Sequence, residues 1–454
     1  MMHPTERRSV FSLAGIYGLR MLGLFMILPV FALYAEGLKG VTPTLVGLAL
    51  GIYGLTMALF QIPFGMLSDR FGRKPIIVIG LILFAVGSVV AAMADSIWGV
   101  IIGRAIQGSG AIAAAMMALL ADLTREKERT KAMAILGVSI GMSFTLSLML
   151  GPFLNNAIGV AGIFWMTAVM AVIAIALLYL VVPDPEHSHM HRDVEPVPAQ
   201  LKGILANTQL LRLDLGIMLQ HGIMMAMFTA LPFVLRDQLG LPSQEHGWFY
   251  LPVLLLSVLG MVPLIILAEK KAKMKQVFIG CVVLMMVSEF LLGTLHGSVL
   301  SVGVGLFLFF IAYNVLEASL PSLISRMAPV DGKGTAMGVY STSQFLGAFI
   351  GGTAGGWAYG LWGAEGVFYA CAAVTGVWIL AALGMQTPSY SLHLLHVEVT
   401  TPEAAEQLTA RLLDVTGVHE AKVVLDEGVA YLKVNKQHLD KSRLDELTGS
   451  SQPT

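Results

Sequence analysis

The sequence has few charged residues and only two cysteines. Asp, Glu, Lys and Arg make up 13% of its 454 residues, about half the share found in an ordinary soluble domain. With 56% hydrophobic residues, the chain has more apolar surface than a soluble core can bury. Cys281 and Cys371 both lie in apolar segments, which excludes a disulfide framework and a thiolate metal cluster.

The sequence also lacks a phosphate-binding P-loop and any large excess of charge of one sign. Without a G-x-x-x-x-G-K-[ST] motif, a built-in ATP motor is excluded. The net charge of -1 gives no reason to expect a nucleic-acid partner. We predict no enzymatic activity, no cofactor and no metal.

The sequence contains instead a series of apolar segments, each long enough to cross a bilayer, which takes about 20 residues. They lie near residues 10–35, 44–67, 75–94, 97–121, 131–154, 160–182, 210–235, 246–268, 275–295, 298–320, 335–358 and 365–386. These twelve segments predict an all-α polytopic membrane protein, surrounded by membrane lipid. Its two six-helix bundles would occupy residues 1–182 and 208–387, joined by a polar linker at 183–207.

Basic residues fall almost entirely in alternate loops. The amino terminus and the even-numbered loops contain most of the Lys and Arg of the membrane part, whereas the odd-numbered loops contain only Lys39 and Arg236. Because Lys and Arg accumulate on the cytoplasmic side, we expect a multi-pass protein with both termini in the cytoplasm and an even number of crossings.

The two halves resemble each other at a constant offset. Leu28-Pro29 matches Leu231-Pro232, the loop at Asp69 matches that at Glu269, and Ala132-Met133 matches Ala336-Met337. The offsets lie between about 200 and 204 residues. Transporters use such repeats so that two bundles can rock around a site near the bilayer midplane.

The loop after the second segment reads Gly65-Met-Leu-Ser-Asp69-Arg70-Phe-Gly72-Arg73-Lys74-Pro75. A glycine at 65 allows close helix approach, and Gly72 permits a tight reversal. Asp69 can accept hydrogen bonds at a neighbouring helix N-terminus. This loop, which we name the signature loop, resembles the cytoplasmic signature of the major facilitator superfamily. The resemblance implies that it locks the outward-facing state, with a latch formed by Gly65, Asp69, Arg70, Gly72, Arg73 and Asp122, the last as carboxylate partner of Arg73.

Two further motifs bear on this resemblance. Arg104-Ala-Ile-Gln107-Gly-Ser-Gly-Ala in the fourth segment resembles the family's conserved-arginine motif, which implies a part in proton transfer. The glycine-rich antiporter signature of the fifth segment is present only in part, since Ser147 and Asn155-Asn156 replace its glycines around Gly151-Pro152. Over its whole length the chain is similar to the twelve-span drug:proton antiporter branch, which implies the cell inner membrane.

Ionisable residues within spanning segments are functional candidates because each costs about 2.5 kcal/mol or more at the helix centre. The candidates are Arg20, Arg104, His221, Glu289 and Glu317, and the resemblance places segments 1, 4, 7 and 10 around the central cavity. For the titrating group we rank Glu317 first, then His221, then Glu36. Arg104 would hold the proton-accepting network.

Alternatives remain open for several of these residues. Arg20, Gln107 and Glu289 are predicted to face the cavity, although Arg20 and Glu289 would equally suit a structural pairing within the bundle. His221 would equally suit a hydrogen-bonded interior histidine.

The last 67 residues contain 16 of the 57 charged residues and a different pattern. Alternation from Leu392, a helix over 402–414, strands over 418–425 and 429–434 and a helix over 439–447 predict a βαββα order. We expect a small α+β ferredoxin-like domain at 388–454 that lacks its last strand and offers an edge for docking or self-association.

These observations predict a secondary transporter that exports small, amphipathic or drug-like molecules in exchange for protons. A carrier for a sugar, peptide or metabolite is one alternative. A sensor that signals through the C-terminal domain is another.

Overall fold

The protein is described here by a computed structural model. It describes residues 2–184, 200–270, 273–329, 332–386 and 391–448, apart from 398, 400, 426, 427, 436 and 437. Most of the predicted linker, including its three histidines, therefore lies outside the described residues. The described end of the linker forms a short helix, α1, Leu201–Ala206.

Ten helical segments of the described residues are long and apolar enough to cross a membrane. Eight of them are single spans, and we number the spans along the chain. Spans 1 to 4 are Pro4–Ala35, Pro43–Phe71, Arg73–Ala92 and Ile97–Asp122, and spans 7 to 10 are Thr208–Phe233, His246–Lys270, Met274–Thr294 and Val299–Met327. Span 10 continues seven residues beyond its predicted end, so that Glu317 lies well inside the helix.

The other two segments, Glu126–Leu180 and Lys333–Leu383, each contain two spans. A straight helix of 51 residues would be about 77 Å long, far longer than the hydrocarbon core of about 30 Å. Each is bent at one glycine with positive φ, Gly159 at 70° and Gly363 at 67°. Spans 5 and 6 therefore meet at Gly159 and spans 11 and 12 at Gly363, which confirms the predicted all-α polytopic fold with twelve spans.

The internal repeat is visible in the backbone. Gly159 and Gly363 occupy equivalent positions at the predicted offset. Ser96 and Ser298 do so too, since each caps its helix by accepting a hydrogen bond from the backbone N–H three residues on. Equivalent sequence signals thus end and begin equivalent helices in the two halves.

The two bundles pack closely at the end of the molecule remote from the signature loop, which we name the opposite end. Span 2 and span 11 meet there through glycines: a Cβ on Gly47 would lie 2.0 Å from the backbone oxygen of Gly352. Phe153 of span 5 packs edge-on against Trp248 of span 8, with ring centroids 5.1 Å apart. The structure therefore shows a conformation closed at the opposite end.

The C-terminal domain has the predicted βαββα order. Its elements are β1 Ser391–His396, α2 Pro402–Leu413, β2 Val418–Val424, β3 Val429–Val434 and α3 Lys441–Thr448. The sheet is antiparallel with β3 between β1 and β2. Leu412, Leu432 and Leu444 form part of its core, which places the helices on one face of the sheet.

The glycine contact predicts that Gly47→Ala weakens closure of the opposite end, because the new methyl group meets backbone rather than a flexible side chain. Val30→Cys reports the change, since Val30 is 5% exposed and lines a cavity between the bundles there. We expect faster labelling of that cysteine by a membrane-impermeant maleimide. Gly15→Ala is the control, because nothing lies within 4 Å of its Cβ. Equal labelling in both variants would contradict the prediction.

Candidate functional site

A polar network joins spans 7, 10 and 11 inside the second bundle. Glu317 Oε2 accepts a hydrogen bond from Gln220 Nε2 at 2.9 Å, and Glu317 Oε1 accepts one from Gln344 Nε2 at 3.4 Å. Gln220 Nε2 also donates to the backbone oxygen of Tyr313 at 3.2 Å. The Glu317 side chain remains 36% exposed, so this carboxyl group is held by the protein without being fully enclosed by it.

His221 belongs to the same network. Its Nε2 lies 2.8 Å from Gln344 Nε2, 3.3 Å from the Tyr313 hydroxyl and 3.9 Å from Glu317 Oε2. The imidazole is 7% exposed. The amide group of Gln344 can donate to Nε2 of the neutral ring, whereas a charged imidazolium would need an acceptor there. The structure thus brings together the two residues that were ranked first for proton coupling.

An aromatic contact between the bundles borders this network. Tyr313 stacks on Phe144 of span 5, with ring centroids 5.6 Å apart, and Phe144 meets Phe25 of span 1 edge-on at 5.1 Å. The contact joins spans 1, 5 and 10. Tyr313 therefore links the polar network of one bundle to an apolar surface of the other.

Arg104 lies in a separate setting, inside the first bundle. Its guanidinium donates to the backbone oxygens of Ala49 and Leu50 and to Gln107 Oε1 at 3.0 Å, and it lies 5.3 Å from the centre of the Tyr53 ring. Gln107 donates in turn to the Ser88 hydroxyl at 2.7 Å. Among the described residues no carboxylate contacts Arg104, so its contacts here are those of a residue that ties spans 2, 3 and 4 together.

Arg20 is also enclosed by the first bundle. It donates to the backbone oxygen of Gly110 at 2.7 Å and lies over the Phe84 ring at 5.3 Å. Gly110 occupies the break in span 4 between Ser109 and Ala113, where carbonyls lose their helical partners. The arginine thus satisfies a carbonyl that the break leaves free.

The three predicted cavity residues have almost no exposed surface in this conformation. Arg20 is 2%, Gln107 1% and Glu289 0% exposed. Both carboxyl oxygens of Glu289 are buried without a hydrogen-bond partner among the described residues. Among the five ionisable candidates in the described spans, Glu317 alone has a substantially exposed side chain.

Sequence reasoning missed four members of this region: Gln220, Tyr313, Gln344 and Asp214. The first three are uncharged, and nothing in the sequence distinguishes them from other polar residues of spans. Asp214 could have been found from the sequence, because it precedes His221 by two helical turns on the same helix face. It is 4% exposed and both oxygens lack a described partner. Tyr340 lies within electrostatic reach of both Asp214 and Glu317.

The signature loop forms a compact ionic cluster in the first bundle, at the end of the molecule away from the opposite end. Gly72 has φ 94°, which reverses the chain between spans 2 and 3. Arg73 contacts Asp69, donates to the Ser68 hydroxyl at 2.9 Å and to Asp122 Oδ2 at 3.2 Å. The contact described for Asp69 is therefore with the side chain of Arg73, the first residue of span 3.

Other loop residues contribute less to this cluster. A Cβ on Gly65 would lie 3.2 Å from that of Ala114, in keeping with close approach of spans 2 and 4. Arg70 is exposed and lies over the Phe71 ring at 5.4 Å. Lys74 donates to the backbone oxygen of Val182 at 2.6 Å and pairs with Asp184 at 2.8 Å. Lys74 thereby fastens the loop to the end of span 6.

The cluster predicts unequal effects for two substitutions. Arg73→Ala leaves the fully buried carboxylate of Asp122 without its guanidinium, and breaking a buried pair in this way costs about 3–5 kcal/mol. Asp69→Asn changes a side chain that is 37% exposed, so it should cost much less. We expect a clearly larger loss of melting temperature in detergent for Arg73→Ala. Equal losses of melting temperature would show that burial of Asp122 does not determine how much stability is lost.

The comparisons with known proteins agree with this architecture. The chain matches the Major Facilitator Superfamily over residues 13–352, with a second match over 273–411. It is 48% identical over 446 residues, 98% of each chain, to the inner membrane transport protein YajR of Escherichia coli, so the similarity includes the C-terminal domain. It is 25% identical over 297 residues, 65% of this chain and 73% of the relative, to the multidrug resistance protein MdtH of Proteus mirabilis.

A solved structure shares the fold. The inward-facing, occupied form of a bacterial homologue of the human lysosomal transporter Spinster superimposes with a TM-score of 0.70 and 14% identity. The match covers 84% of this chain and 96% of that one. With twelve spans in two repeats and a whole-length relative at 48% identity, the chain is a multi-pass membrane transporter of the major facilitator superfamily.

Proposed function

We propose that the protein exports small amphipathic organic molecules from the cytoplasm in exchange for protons, by alternating access. The observation that supports this proposal is the Glu317 carboxyl group, partly exposed and hydrogen-bonded to Gln220 and Gln344 beside His221. The names of the relatives also support it: one is an inner membrane transport protein and another a multidrug resistance protein. The basic loops would face the cytoplasm, with both termini.

Proton coupling requires a group that gains and loses a proton as its surroundings change. In the described conformation two amide groups donate hydrogen bonds to the Glu317 oxygens. A protonated carboxyl group would need an acceptor for its own hydrogen, which amide rotation or His221 can provide. Cargo that approaches Glu317 would compete with the proton for the same oxygens, and this competition is the essence of antiport.

The driving force for this cycle comes from the membrane rather than from a nucleotide. Inward movement of one proton down a potential of 100 mV releases about 2.3 kcal/mol. A pH gradient adds about 1.4 kcal/mol for each unit. Export of an amphipathic molecule against a tenfold concentration gradient requires about 1.4 kcal/mol, which is less than this driving force provides.

In this scheme an ion pair gates the opposite end. Arg236, which follows span 7, pairs with Glu36, which follows span 1, through two contacts of 2.5 and 3.0 Å. Arg236 also contacts Asp237 at 2.6 Å on its own helix. When the bundles separate, the guanidinium can keep Asp237 after losing Glu36, so opening does not leave it unpaired. Glu36 therefore suits a role in this gate better than the role in proton binding, for which it ranks third.

The signature loop would act when the molecule closes at its own end. The Asp69–Arg73–Asp122 cluster is intact in the described conformation, so it is available as a preformed surface for the second bundle. We infer that closure at that end brings the second bundle against this surface and gives the loop its latch role.

Glu317→Gln should remove proton coupling, because the amide cannot exchange a proton at the pH of the assay. We expect pH-driven transport of ethidium in proteoliposomes to fall to background, and ethidium binding in detergent to lose its dependence on pH. His221→Asn should reduce coupled transport less, since Gln344 and Tyr313 can bond to the new amide. Glu289→Gln is the control, because this fully buried residue lies outside the network. A variant with both Glu317→Gln and His221→Asn that transports ethidium like the unchanged protein would overturn proton coupling at this site.

Glu36→Gln and Arg236→Gln should both loosen the opposite end. Ion pairs exposed to this degree stabilise the closed conformation by about 0.2–1 kcal/mol. We therefore expect the labelling rate of Val30→Cys to rise by up to about fivefold. Asp237→Asn is the matched control, since it removes a carboxylate on the same helix without breaking the contact between bundles. If all three variants label alike, the contact between Glu36 and Arg236 is not the gate.

A further inference from the structure

The central strand of the C-terminal domain is buried on both of its faces. Ala430, Leu432 and Val434 belong to the core. The alternating residues Val429, Tyr431 and Lys433, which we name the second face, are only 0%, 3% and 7% exposed. An antiparallel sheet with helices on one side normally leaves its other side to solvent. Some other part of the protein must therefore cover the second face.

One contact connects this face to the membrane part of the chain. Lys433 Nζ donates to the backbone oxygen of Met327, the last residue of span 10, at 3.4 Å. The same ammonium pairs with Glu420 of β2 at 3.2 Å. The last carbonyls of a helix lack intrahelical partners and carry partial negative charge. A lysine at this position is thus a favourable partner for the end of span 10.

We propose that the second face is a docking surface whose occupant is the end of span 10 of the same chain. The domain would then be fixed to the second bundle rather than tethered loosely to it. Met327 lies ten residues after Glu317 on one helix, about 15 Å along its axis. A partner that pulls on the domain would thus act on the helix that contains Glu317. This inference does not depend on what the transporter carries.

The test joins the two surfaces covalently in the full-length chain. Met327→Cys and Lys433→Cys are introduced together with a protease site at residues 387–390, and a short bis-maleimide is added. The native cysteines, Cys281 and Cys371, are buried. After proteolysis we expect the domain to stay attached to the membrane part. Met327→Cys with Arg411→Cys is the matched control, because Arg411 is exposed on α2, and here the domain should be released.

Three results would overturn the proposal. Equal release in both variants would mean that the second face does not meet span 10. Cross-linked dimers would mean that a second copy of the chain occupies it. Because Lys433→Cys can disturb the domain, acylation of lysines in the unchanged protein provides a second measurement. We expect Lys433 to react about tenfold more slowly than the exposed Lys202, since it reacts only when the docked face opens; equal rates also overturn the proposal.

Discussion

A charged group placed in the hydrocarbon layer must find its partners within the protein, because neither lipid nor water is there to solvate it. Asp214 and Glu289 have no such partner among the described residues; for the other charged groups the two bundles meet this requirement in different ways. In the first, Arg20 and Arg104 are enclosed and bonded to backbone oxygens of neighbouring spans. In the second, Glu317 is bonded to two glutamines yet keeps about a third of its side chain open. The charged groups of the first bundle thereby tie neighbouring spans together, whereas the second bundle contains a carboxyl group that stays partly exposed.

Most of the fold could be predicted from the sequence. Apolar length and loop charge were sufficient for twelve spans, and the repeat offset reappears in Gly159 and Gly363. These signals are local or periodic, so they survive without knowledge of the tertiary structure. The βαββα order of the C-terminal domain was accessible for the same reason. The extent of span 10 was underestimated, because Pro321 and Ser322 resemble a helix end although the helix continues through them.

The site was only partly accessible in this way. Glu317 and His221 stand out because ionisable residues are rare in spans. Gln220, Gln344 and Tyr313 do not stand out, and their importance comes from distances between residues about 30 to 120 positions apart, which no local pattern encodes. Conversely, Arg20, Gln107 and Glu289 satisfied the rule for cavity residues but are buried. Rarity in the sequence identifies a constrained residue without saying whether the constraint is function or packing.

The positive-φ glycines that join spans 5 to 6 and 11 to 12 have a consequence for how the protein can be regulated. At these hairpins the chain turns back within a single residue, so neither connection adds soluble mass on that side of the membrane. The described end of the linker and the folded C-terminal domain lie at the other side. A soluble partner therefore has little to bind at these two hairpins, and the folded soluble surface of the described residues is on the face that bears the domain.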